Sequence, residues 1–399
     1  MLDAYIVDGV RTPRGRATKG HFKNLRPVDL LKPLYEALEQ RCSMDSIIVE
    51  DVVLGCVTAV GDQGANIAKI SALFAGWHDN VAGITVNRFC CSGLDAINLA
   101  SAQLSGGVAD VMVAGGVESL SSVPMFSDKG AWFSDPDVSN ATRFLHMGIA
   151  ADLIATLENI ERLSLDEFAL RSHERARVAQ IEKRFDSAMV PIQNSDGESL
   201  AFDESVRELD LEKLESMQPI FENIEEGRFD NLARTQYPQL SAVNHLHHVA
   251  TSPAQVDGAA LLLLANGKGL KTHGLKPKAR IVQAATASAD PVMMLTGHIA
   301  ATEKLLVRTG LKKENIDLWE INESFAASVI NFQNHFSIDS AQLNVNGGAI
   351  ALGHPLGATG GVLIITLMNE LIRQGKKRGI AAIPGGAGVG VATLIEICE

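Results

Sequence analysis

Two glycine-rich turns of the chain carry a cysteine and a histidine, residue types that together can perform nucleophilic chemistry. Cys90 lies in NRFCCSGLDA (87–96), where a strand pattern gives way to a helix pattern within two or three residues. A thiol at such a junction faces unpaired backbone N–H groups and the positive end of the helix dipole, which favours the thiolate. The junction therefore predicts a nucleophile, although a buried cysteine also serves as a small apolar core residue. Of Cys90 and Cys91, only one is expected to face the mouth of the turn.

The histidine, His354, lies in NVNGGAIALGHPLGATGG (344–361), a segment dense in glycine that precedes an apolar helix pattern. Glycine lets the backbone approach a ligand closely, and an imidazole in such a turn can act as a base. A lone loop histidine is more often a solvated residue, but the surrounding glycines favour the functional interpretation. Asn322 in WEINESFA (319–326) can hold a water or orient a carbonyl, although this tripeptide is also a common polar turn.

Short apolar runs alternate with helix patterns before and after these turns, which indicates α/β units. The first series comprises DVVLGCV (51–57), ANIAKISALFAG (65–76), AGITVNRF (82–89), GLDAINLASAQLSGG (93–107) and ADVMVAGGVES (109–119). The apolar runs are too continuous for half-exposed strands, so we expect sheets covered on both faces by helices. Residues 120–245 have aromatic loops and charged helices, and they predict an insertion carried by the first α/β unit.

The two α/β parts resemble each other in the order of their elements. ITVN (84–87), a glycine turn, a helix and ADVMVAGG (109–116) can be set against LNVN (343–346), a second glycine turn, a helix and GIAAIPGG (379–386). A duplicated unit predicts two sheets packed about a pseudo-twofold axis, with loops of both halves meeting at one site. Any two units of strand, turn, helix and strand would look alike, however. The pattern alone therefore leaves open whether the chain is duplicated or only contains two similar α/β units.

Composition excludes several classes of function. With 35 Lys and Arg against 47 Asp and Glu, the net charge of −12 argues against a nucleic-acid partner. The N-terminus lacks a signal-peptide pattern and no apolar run is long enough for a membrane span, so we expect a cytoplasmic protein without a membrane partner. The 5 cysteines are scattered without metal-ligand spacing, which predicts reduced thiols and no metal site.

Five motifs resemble, in order and spacing, those of the thiolases, the acyl-CoA:acetyl-CoA acyltransferases. They are NRFCCSGLDA, GGVESLSSVP (115–124), NESFA (322–326), NVNGGAIALGHPLGATGG and the closing GGAGVGVA (385–392). RTPRGR (11–16) and HMG (146–148) also resemble family segments, so the resemblance covers essentially the whole chain. It implies the thiolase fold, an α/β fold of two duplicated βαβαβαββ halves in a five-layer α/β/α/β/α arrangement. The halves would be residues 1–268, with an inserted loop domain at about 120–245, and residues 269–399.

The resemblance also implies a role for each site residue. Cys90 would be the nucleophile that accepts the acyl group, His354 the base that makes it a thiolate, and Asn322 the holder of a water in one oxyanion hole. A second oxyanion hole would use the N–H of Cys90 and the backbone at Gly386 and Gly388. The residues implied to contact the substrate are His146, Met147, Phe325, Ser252 and Arg207. Coenzyme A and its acyl thioesters would be substrates, with no permanently bound cofactor, and a homodimer or homotetramer is the usual assembly.

One position departs from the family pattern C-x-G-x-G-x-G. When its glycines are aligned on Gly386, Gly388 and Gly390, Pro384 takes the place of the cysteine that, in the family, exchanges the α-proton of the second acyl-CoA. Proline cannot exchange a proton. General acid–base assistance of this kind contributes about 10²–10⁴-fold to a rate.

No visible group compensates for this loss. Some relatives move the cysteine into the motif that reads NESF here, but Ser324 is a far weaker acid, and Cys91 should point away from the site. A second departure lies in HHVATSPAQVDGAA (247–260), where Pro253, next to Ser252, replaces a serine that usually helps to hold the thioester arm.

The sequence therefore predicts a thiolase-type acyltransferase that acts through a Cys90 acyl-enzyme, with its thiolytic or Claisen step impaired or redirected. One alternative is a non-catalytic or partner subunit of a fatty-acid oxidation or acyl-condensing complex. Another is the ordinary thiolase reaction, with water or His354 acting twice in place of the missing cysteine.

Overall fold

The computed structural model of the chain describes residues 2–222 and 224–398. Its strands are β1 (Tyr5–Arg11), β2 (Gly15–Arg16), β3 (Asp51–Gly55), β4 (Ala82–Val86), β5 (Val111–Glu118), β6 (Ile192–Gln193), β7 (Ser199–Leu200), β8 (Val256–Ala265), β9 (Ala279–Ser288), β10 (Leu318–Ile321), β11 (Arg378–Pro384) and β12 (Val389–Ile397). Its α-helices are α1 (Pro27–Cys42), α2 (Ile67–Phe74), α3 (Ser92–Ser105), α4 (Ala131–Ser134), α5 (Pro136–Ala141), α6 (Met147–Leu157), α7 (Arg162–Ile181), α8 (Leu211–Glu215), α9 (Arg228–Gln236), α10 (Gly267–His273), α11 (Gly297–Thr309), α12 (Ala326–Phe336), α13 (Ala349–Leu352) and α14 (Leu356–Gln374).

The strands of the first half form a sheet in the order β4-β3-β5-β8-β1. Strand β3 pairs in parallel with β4 and β5, whereas β8 pairs antiparallel with β5 and β1. Every residue of β8 is buried, as its unbroken apolar sequence predicts for a strand that is covered on both faces.

The second half repeats this plan in the order β9-β12-β11-β10. Strands β10 and β11 are parallel, and β12 pairs antiparallel with β11 and β9. The duplication predicts two separate sheets, but Tyr5 and Ile6 of β1 pair with Arg280 and Ala279 of β9. This short pairing joins the two halves into one continuous hydrogen-bonded sheet.

Helices α3 and α14 lie between the two halves of the sheet and form the middle layer, where a shared cluster of buried apolar residues surrounds them. Glycines bring the two helices close together. A β-carbon on Gly93 would collide with the carbonyl oxygen of Gly357, and one on Gly360 would collide with the backbone of α3. The first turns of α3 and α14 therefore touch, and this contact brings Cys90 and His354, which precede those turns, to the same region.

The outer layers complete the predicted α/β/α/β/α arrangement. Helices α1 and α2 pack on the outer face of the first half, and α11 and α12 pack on that of the second half. The long connection between β5 and β8 carries α4 to α9 and the β6/β7 hairpin, and its helices α6 and α7 share a buried cluster with α12. The fold class is confirmed, while the boundary at residue 268 stays a prediction.

Helix α14 is long and apolar enough to cross a membrane, by length and composition alone. However, 83% of its apolar window is buried inside the protein. A helix that is apolar all round and lies between the two halves of the sheet is a core helix.

Candidate active site

A cavity of about 680 Å³ opens where the first turns of α3 and α14 meet the inserted segment. This volume suits a small-molecule ligand. The predicted site residues in its wall are Cys90, His146, Met147, Arg207, Ser252, Phe325, His354 and Gly386. Much of the remaining wall is aromatic, with the rings of Phe89, Phe126, Trp132, Phe133, Phe144 and Phe221. Asn322 and Gly388 are not part of the wall.

Cys90 lies between the end of β4 and the start of α3, in a sharp turn. Phe89 has a φ of 49°, in the left-handed region, and the hydroxyl of Ser92 donates to its carbonyl oxygen at 2.6 Å. This turn leaves Cys90 partly exposed in the cavity wall, whereas Cys91 is buried and its thiol donates to the carbonyl oxygen of Ile383 at 3.2 Å. Cys90 is therefore the cysteine of the pair that faces the cavity.

The surroundings of Cys90 disfavour its thiolate in the free protein. Burial is the main cause that raises the pKa of the thiol to about 12; the Cys90 N–H opposes this rise in part, and the negative charge of Glu118 adds a smaller upward effect. The position before α3 alone predicts a lowered pKa, but loss of hydration outweighs the helix dipole here. Cys90 is thus a neutral thiol until a base removes its proton.

His354 lies in the same cavity wall and carries an imidazole that can accept a proton. Its Nδ1 lies 2.7 Å from the hydroxyl of Thr359, whereas its buried Nε2 has no hydrogen-bond partner in the part of the chain that the structure describes. Burial, with a smaller contribution from the positive charge of Arg14, lowers the pKa of the imidazole to about 4. At neutral pH the ring is therefore uncharged, and Nε2 is free to interact with a group in the cavity.

Two supporting residues, Thr359 and Glu118, are missed by the sequence analysis. Thr359 holds the ring of His354, and its only signal is a hydroxyl in the first turn of an otherwise apolar helix. Glu118 is the last residue of β5 and is buried. Its signal in the sequence is a lone glutamate at the end of an apolar strand pattern. Its carboxylate accepts hydrogen bonds of 2.8–3.1 Å from the backbone N–H groups of Val57, Thr58 and Gly357 and from the side chain of Gln63. Glu118 thereby ties the turn after β3 to the first turn of α14.

Asn322 and Gly388 lie behind the cavity wall. The amide nitrogen of Asn322 donates to the hydroxyl of Ser324 at 2.9 Å, and its buried Oδ1 lacks a partner among the described residues. An unpartnered buried amide oxygen suits a bound water. Gly388 has a φ of 79°, and its carbonyl oxygen accepts a hydrogen bond from the N–H of Ala289 at 2.8 Å.

The turn that joins β11 to β12, residues 384–390, is called here the proline hairpin. Pro384 is buried at the end of β11, where it pairs with Gly390 of β12. Gly386 reaches the cavity, and a β-carbon there would press on the rings of Phe89 and Trp132. The hairpin sequence PGGAGVG has no side chain that can exchange a proton.

The inserted segment supplies an apolar side of the cavity at the start of α6. His146 caps this helix by accepting a hydrogen bond from the N–H of Gly148 at 3.2 Å, and burial lowers the pKa of its ring. The ring of Phe221 packs against both His146 and Phe325, with centroids 5.6 and 5.8 Å away. Met147 lies next to these rings in the wall.

Polar groups lie on another part of the wall. Ser252 donates its hydroxyl to the carbonyl oxygen of His248 at 2.9 Å, and Pro253 follows it in the wall. Arg207 and Arg16 both contribute to the wall, and burial together with the charge of Arg16 lowers the pKa of Arg207. The two guanidinium groups make this part of the cavity suitable for an anionic ligand.

The site thus combines a thiol, an uncharged imidazole and turns with backbone N–H donors, beside a largely apolar cavity. These are the components of covalent catalysis at a carbonyl carbon. In residues 2–222 and 224–398, no group of three or more His, Cys, Asp or Glu side chains could hold a metal ion.

Comparison with known proteins gives a consistent result. Residues 4–228 match the family model described as thiolase, N-terminal domain, and residues 275–397 match thiolase, C-terminal domain. The chain is 38% identical to the steroid 3-ketoacyl-CoA thiolase FadA6 of Mycobacterium tuberculosis, over 99% of this chain and 94% of that protein. It is 36% identical to the 3-ketoacyl-CoA thiolase of Aeromonas hydrophila, over 99% of this chain and 100% of that protein. The crystal structure of the Bacillus anthracis acetyl-CoA acetyltransferase superposes with a TM-score of 0.87 at 33% identity, covering 100% of this chain and 99% of that one.

Proposed function

The chain belongs to the thiolase family, and from this premise we propose that it transfers acyl groups between coenzyme A thioesters through a thioester on Cys90. It is a thiolase-type acyltransferase, and coenzyme A and its thioesters are its substrates. The observation that carries the proposed role of Cys90 is its position in one cavity wall with His354, whose Nε2 is buried and without a partner among the described residues.

In the proposed reaction, His354 removes the proton from Cys90 as the sulfur attacks the thioester carbonyl. Because the thiol pKa is about 12 and the imidazole pKa about 4, the thiolate–imidazolium pair is a minor species in the free protein. Proton transfer therefore accompanies the attack, which is general base catalysis. The sulfur–acyl bond forms, the acyl–coenzyme A bond breaks, and the imidazolium returns its proton to the departing thiolate of coenzyme A.

Two groups of donors are proposed to stabilise the oxyanion of this step. One comprises the N–H of Cys90 and the backbone at Gly386 and Gly388 of the proline hairpin. The other is a water held by the unpartnered Oδ1 of Asn322, together with Nε2 of His354 once it is protonated. Donors fixed before the reaction are effective because they need no reorganisation when the charge develops.

Carbon–carbon bond formation or cleavage makes a further demand on the site. The α-carbon of the second acyl group must lose or gain a proton, and Pro384 cannot exchange one. Cys91 is the nearest thiol in sequence to Cys90, but it is buried and burial raises its pKa well above the ordinary value. We therefore propose that acyl transfer is retained and that the thiolytic or Claisen step is slowed by about 10²–10⁴-fold.

A second candidate function is a non-catalytic or partner subunit of a fatty-acid oxidation or acyl-condensing complex. Pro384 and Pro253, both at positions that face coenzyme A by family resemblance, favour it. Rapid thiolysis of a 3-ketoacyl-CoA by the purified protein alone, lost in Cys90→Ala, would exclude this candidate.

Mass spectrometry of the protein after incubation with acetyl-CoA or a 3-ketoacyl-CoA tests the acyl-enzyme. The Cys90 peptide should gain the mass of the acyl group, and Cys90→Ala should abolish the gain. Cys91→Ala is the matched control and should still be acylated, because Cys91 is buried away from the cavity. No adduct on any cysteine of the wild-type protein would contradict the proposal.

We also propose that the protein is a homodimer or homotetramer in the cytoplasm. Strand β4 ends the sheet order, so one of its edges lacks a partner strand among the described residues. Ile84 of β4 and Ile70, Leu73 and Phe74 of α2 are exposed apolar residues near this edge. Such an edge is normally covered. The absence of disulfides among the described cysteines agrees with a reducing compartment.

Light scattering during size-exclusion chromatography tests the assembly. The wild-type protein should elute as a dimer or tetramer, and Ile84→Lys should shift it towards the monomer. A wild-type monomer at micromolar concentration would contradict the proposal.

A further inference from the structure

A buried ion cluster joins the first strand to the inserted segment beside His354. Asp203 accepts hydrogen bonds from Nη1 and Nη2 of Arg11, each at 2.9 Å. The same carboxylate accepts hydrogen bonds from the backbone N–H of Arg14 at 2.9 Å and from its Nε and Nη2 at 3.2 Å. None of the three residues is more than 5% exposed, so solvent screens these charges weakly.

The cluster carries a surplus positive charge, because two guanidinium groups share one carboxylate. Burial alone would raise the pKa of Asp203, but Arg11 and Arg14 outweigh it and hold that pKa at about 2. The carboxylate is therefore charged at any pH at which the protein is used.

Only Arg14 extends from this cluster to the histidine turn, residues 344–361. Its Nη1 donates to the carbonyl oxygen of Gly353 at 3.2 Å, in the peptide that enters His354. Gly353 has a φ of 96°, and a β-carbon there would collide with Val256, so the position requires glycine. The N–H of the same peptide, that of His354, donates to the carbonyl oxygen of Ala254 at 2.9 Å, so the peptide is held at both its N–H and its carbonyl group. Arg11 instead donates to the carbonyl oxygen of Thr12 and stacks 5.0 Å from the ring of Phe185.

We propose, on the basis of the acyl-transfer function above, that Arg14 is a positioning residue for His354. Anchored by Asp203, its guanidinium fixes the carbonyl of Gly353 and thereby the direction of the imidazole towards Cys90.

Several other groups that can carry charge adjoin the histidine turn. Cys90 lies in the same cavity wall, on the turn before α3. Glu118, at the end of β5, accepts a hydrogen bond from the N–H of Gly357. Glu320 of β10 is buried and interacts with the charge of Arg14. Among these groups, Arg14 is the one whose charge lowers the pKa of His354, after the larger effect of burial.

Arg14→Gln tests the proposal, with Arg11→Gln as a matched control. Each variant removes one guanidinium from Asp203 and leaves the other in place, so neither leaves that carboxylate unpaired. The measurements are the thermal midpoint, the rate of Cys90 acylation by acetyl-CoA, and the rate of Cys90 alkylation by iodoacetamide between pH 3.5 and 8.

We expect both variants to lose thermal stability by a similar amount. Arg14→Gln alone should slow acylation by about 10–100-fold, the effect of a misplaced catalytic group. The rate of Cys90 alkylation should fall at low pH as His354 becomes protonated, and this fall is the acid limb of the pH profile. Arg14→Gln alone should move the acid limb to higher pH by about 0.5–1 unit, because His354 becomes easier to protonate. Arg14→Lys should return the limb towards its wild-type position, since it restores the charge.

The proposal is overturned if Arg14→Gln loses stability but keeps the wild-type acylation rate and acid limb. It is equally overturned if Arg11→Gln changes the rate and the limb as much as Arg14→Gln does. Because iodoacetamide needs no acyl-CoA, the shift of the acid limb is measured even if the wild-type protein forms no acyl-enzyme. Failure of the proposed function is thus distinguished from failure of this inference.

Discussion

The histidine turn (344–361) and the proline hairpin (384–390) both border the cavity, but only the histidine turn has a side chain that can exchange a proton. His354 is held by the hydroxyl of Thr359 and by side chains from distant segments, Arg14 and Glu118, that bond the backbone on either side of it. The proline hairpin is held mainly by its own strands, through pairing of Pro384 with Gly390.

This difference separates the shape of the site from its chemistry. The glycines of the proline hairpin let the backbone pass close to the cavity, and a β-carbon on Gly386 would press on the rings of Phe89 and Trp132. The hairpin therefore keeps a surface suited to a thioester without a group for proton transfer. In the proposed reaction, acyl transfer at Cys90 and proton transfer at the α-carbon are therefore separable steps.

The largest effect is expected when the proposed general base of the histidine turn is removed. His354→Asn should slow Cys90 acylation by about 10²–10⁴-fold, because the general base is lost. Pro384→Ala should change the same rate by less than about threefold, because the hairpin contributes backbone only. Rapid-quench mass spectrometry measures both rates. Equal losses in the two variants would contradict the distinction between the turns.

The next largest effect is expected from a substitution that gives the proline hairpin a side chain able to exchange a proton. Pro384→Cys should raise the rate of 3-ketoacyl-CoA thiolysis by about 10²-fold or more, while Cys90 acylation stays within about threefold of wild type. The loss of absorbance of the 3-ketoacyl-CoA measures thiolysis. Pro384→Ser is the control, because a hydroxyl of similar size is a far weaker acid. No gain in the cysteine variant would mean that water or His354 already performs the proton transfer.

The histidine turn should also make the protein sensitive to acid, whereas the proline hairpin has nothing to titrate. The folded protein holds the pKa of His354 at about 4, below its ordinary value of about 6.5, so the unfolded chain binds a proton first as the pH falls. The contribution of His354 to the free energy of unfolding is fully present above about pH 6.5. It falls by about 3 kcal/mol as the pH falls to about 4.

Urea denaturation at pH 7.0 and 4.5 measures this loss for the wild type and for His354→Asn, which should lose less. His298 provides the control. Burial lowers its pKa to about 3, and it stacks on Phe332, 4.8 Å between ring centroids. His298→Phe should reduce the acid loss of stability without changing acylation. An acid loss that is identical in all three proteins would contradict this account.

The smallest effect concerns Glu118, which anchors the histidine turn by accepting a hydrogen bond from the N–H of Gly357. Glu118→Gln should lower the free energy of unfolding by about 1–3 kcal/mol, because an amide group would face buried backbone N–H donors with no acceptor for some of them. Chemical denaturation measures the change. Glu204→Gln, at a partly exposed carboxylate that also accepts backbone hydrogen bonds, should cost less. A cost for Glu118→Gln no greater than for Glu204→Gln would contradict the proposed anchor.

Much of the fold and part of the site follow from sequence. Continuous apolar runs such as β8 predict strands that are covered on both faces, and glycine-flanked junctions predict the turns that hold Cys90 and His354. The resemblance to the thiolase motifs then implies the five layers, which the pattern of strands and helices alone leaves open. These features depend on local pattern and on order along the chain.

The remaining features depend on contacts between distant segments. The Cys90 pKa reflects burial, which a helix-start pattern does not contain. Glu118 and Arg14 act on residues that lie more than 200 positions away in the sequence. The pairing of β1 with β9 rests on two residues of each strand, too few to give a pattern.

The most direct test of the separation between acyl transfer and α-carbon chemistry uses one protein and one substrate. The purified protein is incubated with acetyl-CoA and labelled coenzyme A in D₂O, and mass spectrometry follows two events. Exchange of coenzyme A reports acyl transfer through Cys90, and uptake of deuterium by the acetyl group reports proton transfer at the α-carbon. We expect exchange of coenzyme A to be at least 10²-fold faster than uptake of deuterium, and abolished in Cys90→Ala. Deuterium uptake as fast as coenzyme A exchange, or no exchange at all, would contradict the account.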